Sequence, residues 1–151
     1  MAGFSYNAAQ LIGGNEDAIL NDAIRCPHGY VMHRPGSGIV TLMGETGNCN
    51  RFARYSVRAT GNIAIPEGGT PGPIAVAIAV NGEVVPVSKA SVVPAAAGDY
   101  WHFCCDYEID VRKGCCVSFT VRNVLPPNAA VGATVQPIEM QNLYVQVDRK
   151  A

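Results

Sequence analysis

Residues 74 to 87 read Ile74-Ala75-Val76-Ala77-Ile78-Ala79-Val80-Asn81-Gly82-Glu83-Val84-Val85-Pro86-Val87. Large apolar residues (Ile74, Val76, Ile78, Val80) alternate with small ones (Ala75, Ala77, Ala79). Successive side chains of a strand point to opposite faces, so this strand is apolar on both. Such a strand lies in the middle of a sandwich or against a neighbouring subunit. The alanines are small enough for a covering surface to approach closely. Ile74 to Val80 are therefore the residues expected at a subunit contact. Asn81-Gly82 supplies the two positive-φ residues of a tight hairpin turn, and Glu83 to Val87 runs back.

Working outward, period two recurs nearly everywhere. In Phe52 to Ile63, Ala53, Tyr55, Val57 and Ala59 alternate with Arg54, Ser56 and Arg58. Tyr100 to Ile109 sets Trp101, Phe103, Cys105, Tyr107 and Ile109 against Tyr100, His102, Cys104, Asp106 and Glu108. Asp110 to Gly114 reads as a turn, and Cys115 to Asn123 returns with Cys115, Val117, Phe119 and Val121 on one face. After the break at Leu125-Pro126-Pro127-Asn128, two more strands are expected, at Ala129 to Val135 and Ile138 to Val147. Upstream, shorter pieces lie at Asn7 to Ile12, Gly29 to Arg34 and Gly38 to Gly44, with a turn at Pro35-Gly36-Ser37-Gly38. Asn15 to Asp22 fits a helical turn or a short strand.

The count is nine or ten strands with no alternating helices and no repeat. That excludes doubly wound α/β, propeller and solenoid folds and leaves a sandwich, a jelly roll or a closed barrel. Composition agrees. Gly (16) and Pro (10) make up 26 of 151 residues, too much punctuation for a helical bundle. Hydrophobic residues form 48% and charged residues 15%, which argues against disorder. Eleven Lys and Arg against 12 Asp and Glu give a net charge of -1, so direct nucleic-acid binding is not expected. The N-terminus shows no positively charged, apolar leader, and the longest apolar run is far short of the roughly 20 residues of a membrane helix. A chain made in the cytoplasm, with no membrane contact, is expected.

Six cysteines, Cys26, Cys49, Cys104, Cys105, Cys115 and Cys116, form no common zinc spacing. Neighbours on a strand face opposite ways, so Cys104 and Cys105 cannot share an ion, and free thiols are expected. The histidines, His28, His33 and His102, sit beside no recognisable nucleophile motif. Gly68-Gly69-Thr70-Pro71-Gly72 lacks the Lys and helix of a phosphate loop. Asp106, Glu108 and Asp110 alternate along one strand face, which reads as a solvated edge and not as a calcium loop or a glycosidase pair. No enzyme activity, metal or cofactor is expected. Possible ligand contacts are Arg54 and Arg58, within a basic stripe that begins at Arg51, and the aromatic pair Tyr100 and Trp101, which with Tyr107 make either a sugar-stacking platform or a core aromatic cluster.

Four segments carry a resemblance: His28 to Leu42, Ala53 to Val57, Gly61 to Gly69 and Pro73 to Glu83. Together they resemble a family of small all-β proteins of gut Firmicutes and their prophages, similar to the tumour-necrosis-factor-like jelly roll. The likeness spans about residues 7 to 147. It implies a jelly-roll sandwich of about ten antiparallel strands, trimerising around apolar strands at a threefold axis. It further implies a virion protein, a capsid decoration or head fibre protein on the capsid surface, with the major capsid protein as partner. The alternative it leaves open is a carbohydrate- or receptor-binding module on a virion or spore surface. Spore-surface relatives carry a collagen-like Gly-X-Y stalk, which this sequence lacks, and that favours the virion. On this reading residues 1–25 are an N-terminal arm or the first strands, and residues 26–151 the jelly-roll domain.

Overall fold

The computed structural model describes residues 2–25, 30–47, 49–127 and 129–150. Two antiparallel sheets pack face to face as a jelly roll. The first sheet runs β10 (Trp101–Arg112), β6 (Phe52–Ala64), β12 (Ile138–Arg149), β1 (Ala2–Tyr6) and β3 (Asp22–Arg25), with β2 (Gln10–Ile12) also on β12. The second runs β4 (Val31–His33), β5 (Val40–Met43), β11 (Cys116–Val124), β7 (Ile74–Val80) and β8 (Glu83–Val84), with β9 (Ala90–Val92) also on β7. One 3-10 turn, Pro86–Ser88, lies between β8 and β9. Among the described residues no helix is long and apolar enough to cross a membrane.

The alternation read from the sequence builds the core. Phe4, Ala53, Tyr55, Val57, Phe103, Cys105 and Val145 of the first sheet meet Leu42, Ile74, Val76, Ile78, Phe119 and Val121 of the second, all buried. Tyr55 is the largest fully buried side chain, and its hydroxyl is satisfied by donating to the Met43 carbonyl at 2.7 Å. The Asn81-Gly82 hairpin forms as expected, with φ of 51° and 84°. Asn81 also accepts the Ser118 N–H through Oδ1 at 3.0 Å, which ties the turn to β11.

Three local expectations are corrected. β10 continues through Asp110 and Val111 to Arg112, because Val111 is a buried core residue; the turn is Lys113-Gly114, where Gly114 takes φ 81°. Residues 129–135 form a loop, not a strand; nothing large and apolar there has a core to enter, and Val131 is fully exposed. Cys115 precedes β11 and is exposed. Of the two readings of Asn15 to Asp22 the structure has the extended one, hydrogen-bonded along the far half of β11: Ala18 N–H reaches the Val121 carbonyl and Asn123 N–H the Glu16 carbonyl. Residues 2–25 supply β1, β2 and β3 to the first sheet, and β1 is paired on both sides, to β12 and β3.

One gap in the β7 edge is closed by a side chain. β8 pairs with Ala79 and Val80, and β9 with Ile74 to Val76. Between them, Ser88 Oγ accepts the Ile78 N–H at 2.9 Å and donates to the Val85 carbonyl at 2.7 Å. A buried backbone N–H without such a partner carries a penalty of about 1–3 kcal/mol. Ser88→Ala should therefore lower unfolding free energy by about 1–3 kcal/mol in urea titration. Ile78→Ala, which leaves a core cavity, should cost about 2–5 kcal/mol with an unchanged denaturant slope. If Ser88→Ala melts like wild type, its bridge to β7 is not a structural element.

Candidate functional site

The four predicted ligand-contact residues lie on or beside β6 and β10, which pair in register from Trp101↔Ile63 to Arg112↔Phe52. Arg54 faces Asp110 and Arg58 faces Asp106 directly across the ladder. Arg54 Nε donates to Asp110 Oδ1 at 2.8 Å and its second nitrogen to Oδ2 at 3.2 Å, a two-point contact. This hydrogen bond and charge hold the Asp110 carboxyl below its usual range and raise the Arg54 guanidinium. Arg58 pairs with Asp106 more loosely, at 3.8 Å. Both pairs are solvent-exposed, so they contribute little stability. They do neutralise the arginines that a sequence reading offers as a free basic stripe.

The aromatic pair is elsewhere. Arg58 lies five ladder positions from Trp101, roughly 17 Å along the strand. Tyr100 is committed to a hydrogen bond from its hydroxyl to Glu139 Oε2 at 3.0 Å, and burial together with this contact raises its pKa. Trp101 is 48% exposed at the strand's start, its indole N–H donating to Asp99 at 3.3 Å. The arginines and the aromatics thus form two separate places on one sheet. A cation missed in the sequence is Arg149, which sits 4.1 Å from the Tyr30 ring centroid and bonds the Glu45 carbonyl. Its stacking depends on a loop far away in sequence, so no local pattern announced it.

The strand expected at a subunit contact is enclosed by its own chain. Ile74, Val76 and Ile78 point into the main core. On the opposite face, Ala75 and Ala77 cluster with Val124 and the half-buried Val84. Arg122, directly across from Ala77, bridges Asp17 at 2.8 Å and the Gly82 carbonyl at 2.8 Å. Ala75, Ala77 and Ala79 have no exposed surface, so they have no area left to give to a neighbour.

The outer face of the first sheet is largely exposed along β6 and β10, while Met32 and Ile39 are exposed at β4 and the start of β5. The upper half of the first sheet's outer face carries Asn62 and His102 in one row and Thr60 and Cys104 in the next, with Gln141 and Tyr144 alongside on β12. The Tyr144 ring lies across Gly3, where an added Cβ would meet its hydroxyl at 2.7 Å. The lower half carries the acids and arginines described above. This division into a neutral and a charged half was present in the alternation of Phe52 to Ile63 and Tyr100 to Ile109, but only the register aligns the two strands.

Of the cysteines, Cys49, Cys104, Cys105, Cys115 and Cys116 are free thiols. Cys26, like His28, lies outside the described residues. Cys104 is exposed and Cys105 buried, as opposite pointing requires. Among the described residues no cluster of His, Cys, Asp and Glu could hold a metal ion. Burial pushes the Cys105 thiol up to about 12.

No protein-family model matches this sequence, and no curated protein does. Solved structures do match. Eiger TNF from S. frugiperda superposes with a TM-score of 0.68 at 11% identity, covering 99% of this chain and 91% of that one. Murine APRIL gives a TM-score of 0.53 at 8% identity, covering 96% and 98%. This chain is thus similar in fold to the tumour-necrosis-factor-like jelly roll.

The cysteine arrangement gives a test. Iodoacetamide should label Cys49, Cys104, Cys115 and Cys116 in the folded protein within minutes at pH 8, and Cys105 only after denaturation. The folded chain holds the Cys105 proton more tightly than the unfolded chain. Its stabilising contribution is therefore fully present below about pH 9.0 and lost as pH rises toward about 12. Cys105→Ala should flatten the alkaline fall in stability over that window; an identical fall in the variant would assign it to other groups.

Proposed function

We propose that this chain is a non-enzymatic structural protein of a phage virion, a homotrimer that decorates or extends from the capsid surface after synthesis in the host cytoplasm. Its partner on the shell is the major capsid protein. The tumour-necrosis-factor-like fold and the sequence resemblance to small all-β proteins of Firmicutes prophages support this reading. The observation that carries the assembly is a neutral patch on the first sheet's outer face, around Thr60, Asn62, His102, Cys104 and Tyr144, with Glu139 and Asp22 at its border. Interface centres are depleted in charge and tolerate charge at the rim. The Arg54–Asp110 and Arg58–Asp106 pairs lie where a rim would be. An obligate trimer of this kind buries more than roughly 2,000 Å² per contact.

A second reading, a carbohydrate- or receptor-binding module, is favoured by one observation: Trp101 leaves nearly half its indole in solvent, its N–H turned toward Asp99. Exposed indole faces stack on sugar rings. Glycan-array binding lost in Trp101→Ala would support that role.

Sedimentation equilibrium at micromolar concentration should give three times the protomer mass. Thr60→Arg, which sets an unpaired charge in the neutral band without touching the core, should yield folded monomer. Purified trimer should then add stably to expanded empty capsids of the phage that encodes it, and Thr60→Arg should not. A wild-type monomer, or a trimer indifferent to Thr60→Arg, would remove the proposed contact face.

A further inference from the structure

We propose that the cleft at one end of the sandwich, between residues 70–73 on one side and residues 125–126 and 129–136 on the other, binds a small neutral ligand. That ligand has an apolar body and one hydroxyl or amide N–H donor, and it is anchored on Oδ1 of Asn123. The cleft holds about 450 Å³, within the size range of small-molecule sites. Pro71, Pro73, Ile74, Leu125, Pro126 and Val135 supply apolar walls. No charged side chain lines it among the described residues, so an ionic ligand would leave its hydration without compensation.

The anchor is defined by hydrogen-bond accounting. Asn123 lines the cleft and is only 1% exposed. Its Nδ2 donates to three backbone carbonyls: Gln136 at 2.8 Å, Gly13 at 3.2 Å and Ile12 at 3.3 Å. Three carbonyl oxygens around one end of the amide fix which end is nitrogen, because the flipped amide would set oxygen against oxygen. The backbone of Asn123 is also spent, its N–H on Glu16 and its carbonyl on the Asn15 N–H. Oδ1 is the remaining polar atom, and no donor among the described residues reaches it. A nearly buried carbonyl oxygen with unused acceptor capacity, in a cleft of apolar walls, selects a ligand that brings a donor. A ligand of the same shape without a donor leaves that acceptor desolvated and unpaired.

The test uses 4-methylphenol and its methyl ether, 4-methylanisole, which have nearly the same apolar body but differ in the donor. In ¹⁵N-resolved NMR titrations of the full chain, 4-methylphenol should shift the amides of Asn123, Val124, Leu125 and Ala133 saturably. The ether should bind about fivefold more weakly or worse, the factor expected for one neutral hydrogen bond. Asn123→Ala also cuts the ties to Ile12, Gly13 and Gln136, so Ala133→Trp is the primary variant. Ala133 is an exposed wall residue, and the indole would fill the cleft while the rest of the spectrum stays as in wild type. Loss of the 4-methylphenol shifts in that variant supports the site. Equal binding of phenol and ether, shifts scattered over the surface, or undiminished binding in Ala133→Trp would overturn it.

Discussion

Ile74 to Ala79 are buried along the whole strand, on both faces, within a single chain. A sheet strand in a two-layer sandwich normally receives cover on one face only, from the opposite sheet. Here the second face is closed by short-range devices. The alanines are too small to need a full layer above them, Val124 and Val84 fill the space beside them, and Arg122 bridges from Asp17 to the Gly82 carbonyl. The strand's backbone is closed in the same economical way by Ser88, which stands in for the missing residues between β8 and β9. Along Ile74 to Ala79 the second sheet is thereby closed by its own chain.

The same logic runs through β11, which has to pair with different neighbours along its length. Its first half meets β5, and its second half meets β7 on one side and the extended segment of residues 15–18 on the other. That segment carries the chain from β2, in the first sheet, across to the second and back toward β3. Asn123, where β11 ends, gathers the chain at Ile12, Gly13 and Gln136 through one side-chain nitrogen. The end of the sandwich is therefore held by hydrogen bonds rather than by core packing, and this is why a cleft can persist there. Prolines and alanines form its walls without the bulk to fill it.

How much of this was readable in the sequence follows from the range of each interaction. Period-two alternation set out β6, β7, β10, β11 and β12, because one buried face imposes the period locally. The Asn81-Gly82 hairpin was readable for the same reason: its two positive-φ residues are adjacent. The length of β10 was misjudged because Asp110 and Arg112 look like turn residues, while Val111 between them goes to the core. Residues 129–135 misled in the opposite sense, since small apolar residues alternate there with no layer to cover them. The site was less legible than the fold. The arginines at 54 and 58 read as free cations until register set Asp110 and Asp106 opposite them. Asn123 enters the sequence reading only as the end of the Cys115 to Asn123 strand, because its three acceptors come from positions more than ten residues away.

Where copies of this chain would meet is decided by which apolar or neutral surface its own residues leave uncovered. A two-faced apolar strand pointed to β7, and that inference assumed that nothing nearer would cover the alanines. Once Val124, Val84 and Arg122 do so, the outer face of the second sheet has little left to gain there. The first sheet differs. Its strands β6, β10 and β12 are long, each spanning 12 or 13 residues, and most of their outward side chains are exposed or half-buried. On β6 and β10 charge gathers in one half of that face, partly in cross-strand pairs, while Glu139 and Asp22 border the neutral patch on β12 and β3. The other half presents hydroxyl, amide, imidazole, thiol and phenol groups, which can lose water at modest cost when matched by a neighbour. A face divided in this way can bury its neutral half and keep its ions wet, whereas a uniformly charged face could not. Desolvation cost, rather than apolarity alone, is the ground on which the proposed assembly is placed on the first sheet.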